Sequence, residues 1–276
     1  MTGLVNQIIK LSYVDGPGAR AAIFLQGCGF DCLYCHNPET IKACDHCGEC
    51  LPACPAGALA KPEASVLWDR EKCTGCDACI RVCRRQSTPK ARRMTAAQVF
   101  EEIGSAAQLI RGITLSGGEA TGQSQFAAEL FALAKSKGLS TFLDSNGAYD
   151  FEEDRRLLEV TDAVMLDIKA HNPQEHLWLT GQPNDLPLRS LSFLGEIGKL
   201  YEVRTVIAQN LPGIRQTVEQ VSRAIAGFET RYKLIRYRPH GVRGRGLQEL
   251  KPPTDLLMEE LAQLARQNSG RPVIIL

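Results

Sequence analysis

Apolar residues in this chain cluster in short runs separated by amphipathic stretches. The runs Ala21–Leu25, Gly112–Leu115, Ser140–Leu143, Ala163–Leu166, Val203–Ala208 and Tyr232–Tyr237 have the length and composition of buried strands. Between them the apolar period lengthens to that of helices. One helix is expected from Thr95, as N-cap, to about Ile110, with Glu101 and Glu102 on its polar face. Another is expected over Gln123–Lys137, stopping at Gly138. Pro272–Leu276 offers a seventh strand. Strands alternating with helices predict a parallel sheet covered by helices, an α/β fold. Six such units are too few to close an eight-stranded barrel, so a partial (β/α)6 barrel is expected.

The cysteines interrupt this alternation. There are 11 in 276 residues, an odd count that suits disulfides poorly. They divide without remainder into three groups. Cys28, Cys32 and Cys35 follow the first strand as C-x3-C-x2-C. Cys44, Cys47, Cys50 and Cys54 are spaced C-x2-C-x2-C-x3-C before Pro55, and Cys73, Cys76, Cys79 and Cys83 repeat that spacing before Arg84. The repeat matches the bacterial two-cluster ferredoxin run. Paired C-x2-C units also make zinc sites, but zinc has no use for the third step. The expected division is therefore 1–43 for the start of the barrel, 44–88 for an inserted ferredoxin-like unit and 89–276 for the rest. In such runs the fourth cysteine ligates the other cluster. By that analogy Cys44, Cys47, Cys50 and Cys83 hold one 4Fe–4S cluster, and Cys73, Cys76, Cys79 and Cys54 the other. The first group differs in kind: three thiolates leave one iron of a cubane open, and an open iron binds something.

Charge and hydropathy add exclusions. A formal charge of +1 supports neither nucleic-acid nor membrane binding. Met1–Val14 is too short and polar for a signal peptide, and no stretch is long enough to span a membrane. Many unpaired thiols then point to a reducing cytoplasm. A monomer is expected.

Polar motifs fall at the C-terminal ends of the strands, where barrels of this kind place their active sites. They are Ser116-Gly117-Gly118-Glu119, Asp144-Ser145-Asn146-Gly147, Asp167-Ile168-Lys169, Arg204, and Arg238-Pro239-His240. Singly, each reads as a turn, a cap or a solvated charge; together they surround the open cluster. Gly117 and Gly118 lack Cβ atoms and let backbone approach a ligand. Asp144 and Asp167 placed together need Lys169, Arg204 or a bound cation to offset their charge.

Taken in order, Asp15-Gly16-Pro17-Gly18-Ala19-Arg20, Cys28–Asn37, Ser116–Glu119, Asp144–Gly147 and Met165–Lys169 resemble the glycyl radical enzyme activating enzymes of the radical S-adenosylmethionine (SAM) superfamily. The 44–88 insert resembles the branch with a two-cluster ferredoxin-like unit. The resemblance implies that the Cys28–Cys32–Cys35 cluster binds and reductively cleaves SAM, and that the resulting radical takes hydrogen from a glycine Cα of a partner glycyl radical enzyme. It implies three 4Fe–4S clusters in all, and a flavodoxin or ferredoxin as electron donor. Tyr34, His36 and Asn37 would line SAM, with Gly117, Gly118 and Glu119 at its amino end. Asp167, Ile168 and Lys169 would follow its methionyl and ribose portion, with Arg204 and His240 toward the carboxylate and adenosyl end. Asp144, Ser145, Met165 and Asp167 would hold a monovalent cation, and Asp15–Gly18 would border the incoming glycine loop.

Two other functions stay open on the residues alone: a radical SAM enzyme acting on a small molecule, and a non-enzymatic electron carrier. The run Arg81–Arg93 holds Arg81, Arg84, Arg85, Lys90, Arg92 and Arg93 with no acid between them, beside Cys79 and Cys83. Its charge is expected to steer an acidic donor to the insert.

Overall fold

The computed structural model describes all residues, Met1–Leu276. Its centre is a nine-stranded sheet in the order β11-β10-β9-β8-β7-β6-β2-β1-β5. Seven of these strands are the ones the apolar runs predict: β2 (Arg20–Leu25), β6 (Gly112–Gly117), β7 (Ser140–Ser145), β8 (Ala163–Asp167), β9 (Leu200–Ile207), β10 (Arg231–Arg236) and β11 (Val273–Ile275). Each pairs in parallel with its neighbour. The two ends of the sheet, β11 and β5, do not pair with each other, so the barrel stays incomplete.

Two strands were not foreseen. β1 (Thr2–Ser12) runs antiparallel to β2, with Val5 opposite Leu25 and Ser12 opposite Arg20. β5 (Arg92–Thr95) adds to the outer side of β1. Near the sheet edge, β1 buries only Gly3, Val5 and Ser12, so its pattern lacks the clean apolar run of a central strand.

The helices are α2 (Ala96–Ile103), α3 (Ser124–Ser136), α4 (Arg155–Val160), α5 (Pro173–Thr180), α6 (Asp185–Glu196), α7 (Ile214–Ala224), α8 (Arg245–Glu249) and α9 (Asp255–Ser269). They are preceded in the insert by a single turn, α1 (Ala78–Arg81). Thr95 caps α2 as expected: its side chain accepts from the Gln98 amide, and the Gln98 side chain closes a capping box. The helix stops at Ile103, short of Ile110, because Gly104 takes a positive φ of 59° and the chain continues as a 3₁₀ turn.

Strand periodicity sorts the chemistry from the core. Leu115, Leu143, Leu166 and Val203 point to the helix side, where they join one large apolar cluster with Phe126, Leu130, Phe131, Leu191, Leu194, Val218, Val221 and Leu261. Each such side chain contributes roughly 1.5–3 kcal/mol on burial. Their immediate neighbours, Ser116, Asp144, Asp167 and Arg204, therefore point the other way.

The insert leaves the sheet after β2 and returns at β5. It carries the short pair β3 (Leu59–Ala60) and β4 (Leu67–Trp68) and a small apolar cluster of Cys50, Leu59, Val66, Cys79 and Ile80. The Gln26 amide ties the base of this excursion together, donating to the carbonyls of Glu39 (2.6 Å) and Lys42 (2.8 Å). The Ser87 hydroxyl donates to the same Lys42 carbonyl at 2.5 Å.

Replacing Thr95 with alanine removes one half of the capping box. The expected loss is about 1 kcal/mol, read as a lower denaturant midpoint with unchanged slope.

Candidate active site

One cavity of about 250 Å³ opens at the C-terminal ends of β6–β10. Cys28, Cys32, Tyr34, Cys35, His36 and Asn37 form one wall; Gly117, Gly118, Asp144, Ser145, Asp167, Lys169 and Arg204 form the others.

The cysteine loop is closed at its base by backbone bonds. Gly27 donates to Thr40 O (2.7 Å) and Cys28 to Ile41 O (3.0 Å). The neighbouring strand clamps the same point: Gly118 donates to Leu25 O (2.9 Å) and Glu119 to Gly27 O (2.7 Å). A Cβ on Gly118 would lie 2.2 Å from Gly27 O, and one on Gly117, at φ +116°, would lie 2.3 Å from Leu25 N. The glycines are thus required by the backbone beneath them as well as being present on the cavity wall.

Burial pushes the Cys28 thiol up to about 11, helped by the Glu119 charge, and pushes Cys32 up to about 12. Binding iron there must release these protons. The Phe30 amide (3.4 Å) and the Asn146 side-chain amide (3.6 Å) donate to Cys28 Sγ. The Tyr34 hydroxyl is buried with no hydrogen-bond partner.

Opposite the thiols lies a network of charges. Arg204 bonds to Asp144 and, at 2.7 Å, to Asp167 Oδ1; Lys169 Nζ holds Asp167 Oδ2 at 2.7 Å. Register explains the pairing, since Asp167 and Arg204 are direct partners between β8 and β9. The Ser116 hydroxyl donates to Asp144 Oδ2 at 2.9 Å. Burial opposes the Lys169 charge, but Asp167, Tyr34 and Cys32 outweigh it and hold the ammonium well above its usual pKa. Burial lowers Arg204 to about 10, against the pull of Asp15, which leaves it charged at neutral pH.

Four residues named from the sequence for SAM or the cation lie elsewhere. Glu119 is buried behind the wall, where its carboxylate accepts from Thr121 N, Thr121 Oγ1, Ser145 Oγ and Asn146 N and joins the end of β6 to that of β7. Ile168 is fully buried in the apolar core, its amide bonded to Arg204 O. Met165 is buried beside Asp144 in the sheet. His240 is exposed; the loop it belongs to reaches the site through Arg238 O, 3.0 Å from His36 Nε2. Cys83 and the other insert cysteines are absent from this wall. In the expected cation set, Asp144 and Asp167 are engaged by Arg204 and Lys169, and the Ser145 hydroxyl by Glu119. Phe30, Ser116, Asn146, Val206 and Ile235 line the cavity without having been singled out as ligand contacts. Val206 was findable, two residues beyond Arg204 on the same face.

In the insert, Cys54, Cys73, Cys76 and Cys79 line one small cavity. Cys44 is raised by burial and by nearby Asp45, Cys83 and Cys47. Cys50 rises to about 11 through burial, then Cys79, Cys44 and Cys47. Nowhere do three or more Cys, His, Asp or Glu side chains converge closely enough to hold a single metal ion.

The basic run is not an unopposed positive face. Arg84 pairs with Glu49 (3.1 Å), Arg85 with Asp45 (3.6 Å), Lys90 with Asp77 (2.6 Å) and Arg92 with Glu102 (2.7 Å). Arg81 donates to Cys76 O at 2.7 Å. The acids come from elsewhere in the chain, which a scan of the run alone could not see.

Residues 22–225 match the radical SAM superfamily. The chain is 31% identical to the pyruvate formate-lyase-activating enzyme of Streptococcus mutans, over 92% of this chain and 87% of that protein. It is 30% identical to the trans-4-hydroxy-L-proline dehydratase activating enzyme of Clostridioides difficile, over 74% and 73%. In fold it is similar to a radical SAM methyltransferase from Sphaerobacter thermophilus, with a TM-score of 0.60 and 14% identity over 96% of this chain and 68% of that one.

Gly118→Ala is expected to displace the Gly27 carbonyl, lowering both thermal stability and the iron retained by the cysteine loop. Gly122→Ala, where nothing lies within 4 Å of the new Cβ, should leave both unchanged. Iron content and melting temperature of the two variants check this.

Proposed function

Since the chain belongs to the radical SAM superfamily, and within it to the glycyl radical enzyme activating enzymes, we propose that Cys28, Cys32 and Cys35 hold the 4Fe–4S cluster to which SAM binds. The observation that carries this assignment is the single cavity in which these three thiols face Gly117, Gly118, Asp167, Lys169 and Arg204. When bound, the cluster and SAM supply a one-electron reductive cleavage whose radical product abstracts hydrogen from a glycine Cα of the partner glycyl radical enzyme.

The donor set fits these groups. Three soft thiols stand on the wall with no fourth cysteine beside them, which suits a cubane with one open iron. The unpartnered Tyr34 hydroxyl and the ammonium of Lys169, 5.7 Å from the Tyr34 ring, offer polar contacts for a nucleoside and a carboxylate. Arg204 is the second cation available to that carboxylate, and releasing it leaves Asp144 and Asp167 free to face an amine or a cation. Phe30, Val206 and Ile235 add apolar wall that excludes water from the reacting centre. His36 and Asn37 extend the wall beyond Cys35.

The insert holds two further clusters, one on Cys54, Cys73, Cys76 and Cys79 and the other on Cys44, Cys47, Cys50 and Cys83. The shared cavity of the first four and the nearness of Cys83 to Cys44, which it helps to raise, support this exchange of fourth ligands. These clusters relay electrons from a flavodoxin or ferredoxin. The run Arg81–Arg93, in which Arg84, Arg85, Lys90 and Arg92 are paired with acids from other segments, is the face that steers this donor. The protein acts as a monomer in the cytoplasm.

Cys32→Ala is expected to abolish 5′-deoxyadenosine production and to remove one third of the iron and sulfide. Undiminished production would refute the assignment. For the insert, Cys54→Ala and Cys73→Ala should deplete the same cluster, so the double variant loses no more iron than either single. Additive losses would place the two cysteines in different clusters.

A further inference from the structure

The two sets of insert cysteines share one spacing, but their surroundings differ. In one respect they are alike: His46 N donates to Cys44 Sγ at 3.3 Å, and Ala58 N to Cys54 Sγ at 3.2 Å. Buried charge is what separates them. The cavity shared by Cys54, Cys73, Cys76 and Cys79 has a mostly apolar remaining wall, which includes Ala58, Leu59 and Trp68. Lys90 is the one cation on it. It comes from the segment that returns to the sheet, and Asp77, just before α1, holds its ammonium at 2.6 Å.

The pair is unevenly solvated. The Lys90 side chain is 16% exposed and that of Asp77 is 52% exposed, so water screens the acid more than the ammonium. Burial pushes the Cys79 thiol up; Lys90 opposes this, and its pull outweighs the push of Asp77. On its other side Lys90 borders a cleft where Glu102 takes up both Arg70 and Arg92, at 2.7 Å each. The other cysteine set has no buried cation beside it. Arg84 and Arg85 are 84% and 49% exposed and paired with Glu49 and Asp45, and Lys61, which donates to Cys47 O at 3.2 Å, is exposed. The acid nearest Cys44 in effect is Asp45, which disfavours its thiolate. Reduction adds one negative charge to a cluster, so a buried cation beside it favours the reduced form.

We propose that Lys90 makes the two insert clusters unequal, placing the one on Cys54, Cys73, Cys76 and Cys79 at the higher potential. Of the two insert clusters, this is then the one on which an incoming electron rests, the donor protein being oxidised by one electron as the cluster is reduced. The proposal deepens the reading that the insert holds two clusters, and it rests on that reading. Lys90 acts through the cluster and is not a ligand to it.

The test is a redox titration of the full-length, iron-loaded protein followed by electron paramagnetic resonance, with iron and sulfide counted on every sample. Lys90→Met should lower one insert midpoint by about 59 mV, a tenfold fall in the reduced-to-oxidised ratio at fixed potential. Lys90→Arg keeps the charge and should hold that midpoint. Asp77→Asn unmasks the ammonium and should raise it; the residue sits at φ +56°, a conformation asparagine tolerates. In a Cys47→Ala background the Lys90→Met shift should persist, and in a Cys76→Ala background it should vanish. Unmoved midpoints, equal shifts of both insert clusters, or shifts of one sign for Lys90→Met and Asp77→Asn would overturn the proposal. If Lys90→Met loses iron, the other two variants decide: a midpoint raised by Asp77→Asn and held by Lys90→Arg supports the proposal, and any other pair of results overturns it. Wild-type iron and sulfide sufficient for the catalytic cluster alone would refute the two-cluster reading itself. Full loading with unmoved midpoints would refute only the role of Lys90.

Discussion

The site depends on a contact between two pieces of backbone. Where β6 ends, Gly117 and Gly118 lie against Leu25 and Gly27 so closely that a methyl group on either would meet main-chain atoms at 2.2–2.3 Å. The amides of Gly118 and Glu119 are spent on carbonyls of that neighbouring segment, and the amide of Gly27 in turn reaches Thr40 at the far end of the cysteine loop. The loop is thus closed and anchored by main-chain hydrogen bonds. Its three thiols are held on one wall by main-chain geometry, and the 44–88 excursion leaves from the same anchored base. Loss of that contact would separate the thiols from the strand ends that complete the cavity.

The second constraint is electrostatic. Two carboxylates, Asp144 and Asp167, face the same cavity and are held by Arg204 and Lys169. Desolvating four charges together is costly, and their mutual attraction has to offset that cost. Here the network can change partners: cations that now neutralise the aspartates are the ones a ligand carboxylate would attract. Arg20 shows a different solution, a buried cation hydrogen-bonded to carbonyls and hydroxyls alone, where the β1–β2 loop meets β6 and β7.

Much of this was legible in the sequence because it is local or periodic. The seven parallel strands follow from their apolar runs, and the alternation Leu115/Ser116, Leu143/Asp144, Leu166/Asp167 and Val203/Arg204 already separates core from cavity. The cysteine spacings are local as well. What could not be read depends on contacts between distant segments. β1 and β5 form at the sheet edge, where a weak pattern suffices. Glu119 looked like a ligand contact because it follows Gly-Gly, but the amide of Asn146 and the hydroxyl of Ser145 draw it behind the wall. The basic run looked unopposed because Asp45, Glu49, Asp77 and Glu102 approach it only in the fold.

The most direct test of the central claim follows the hydrogen itself. The reduced, iron-loaded protein would be incubated with SAM and a peptide deuterated only at its glycine Cα. Deuterium appearing in 5′-deoxyadenosine, together with a glycyl radical signal in the peptide, is the predicted result. Deoxyadenosine that forms at the same rate but carries no deuterium would contradict the account, because SAM would then be cleaved at this site without glycine as the hydrogen donor.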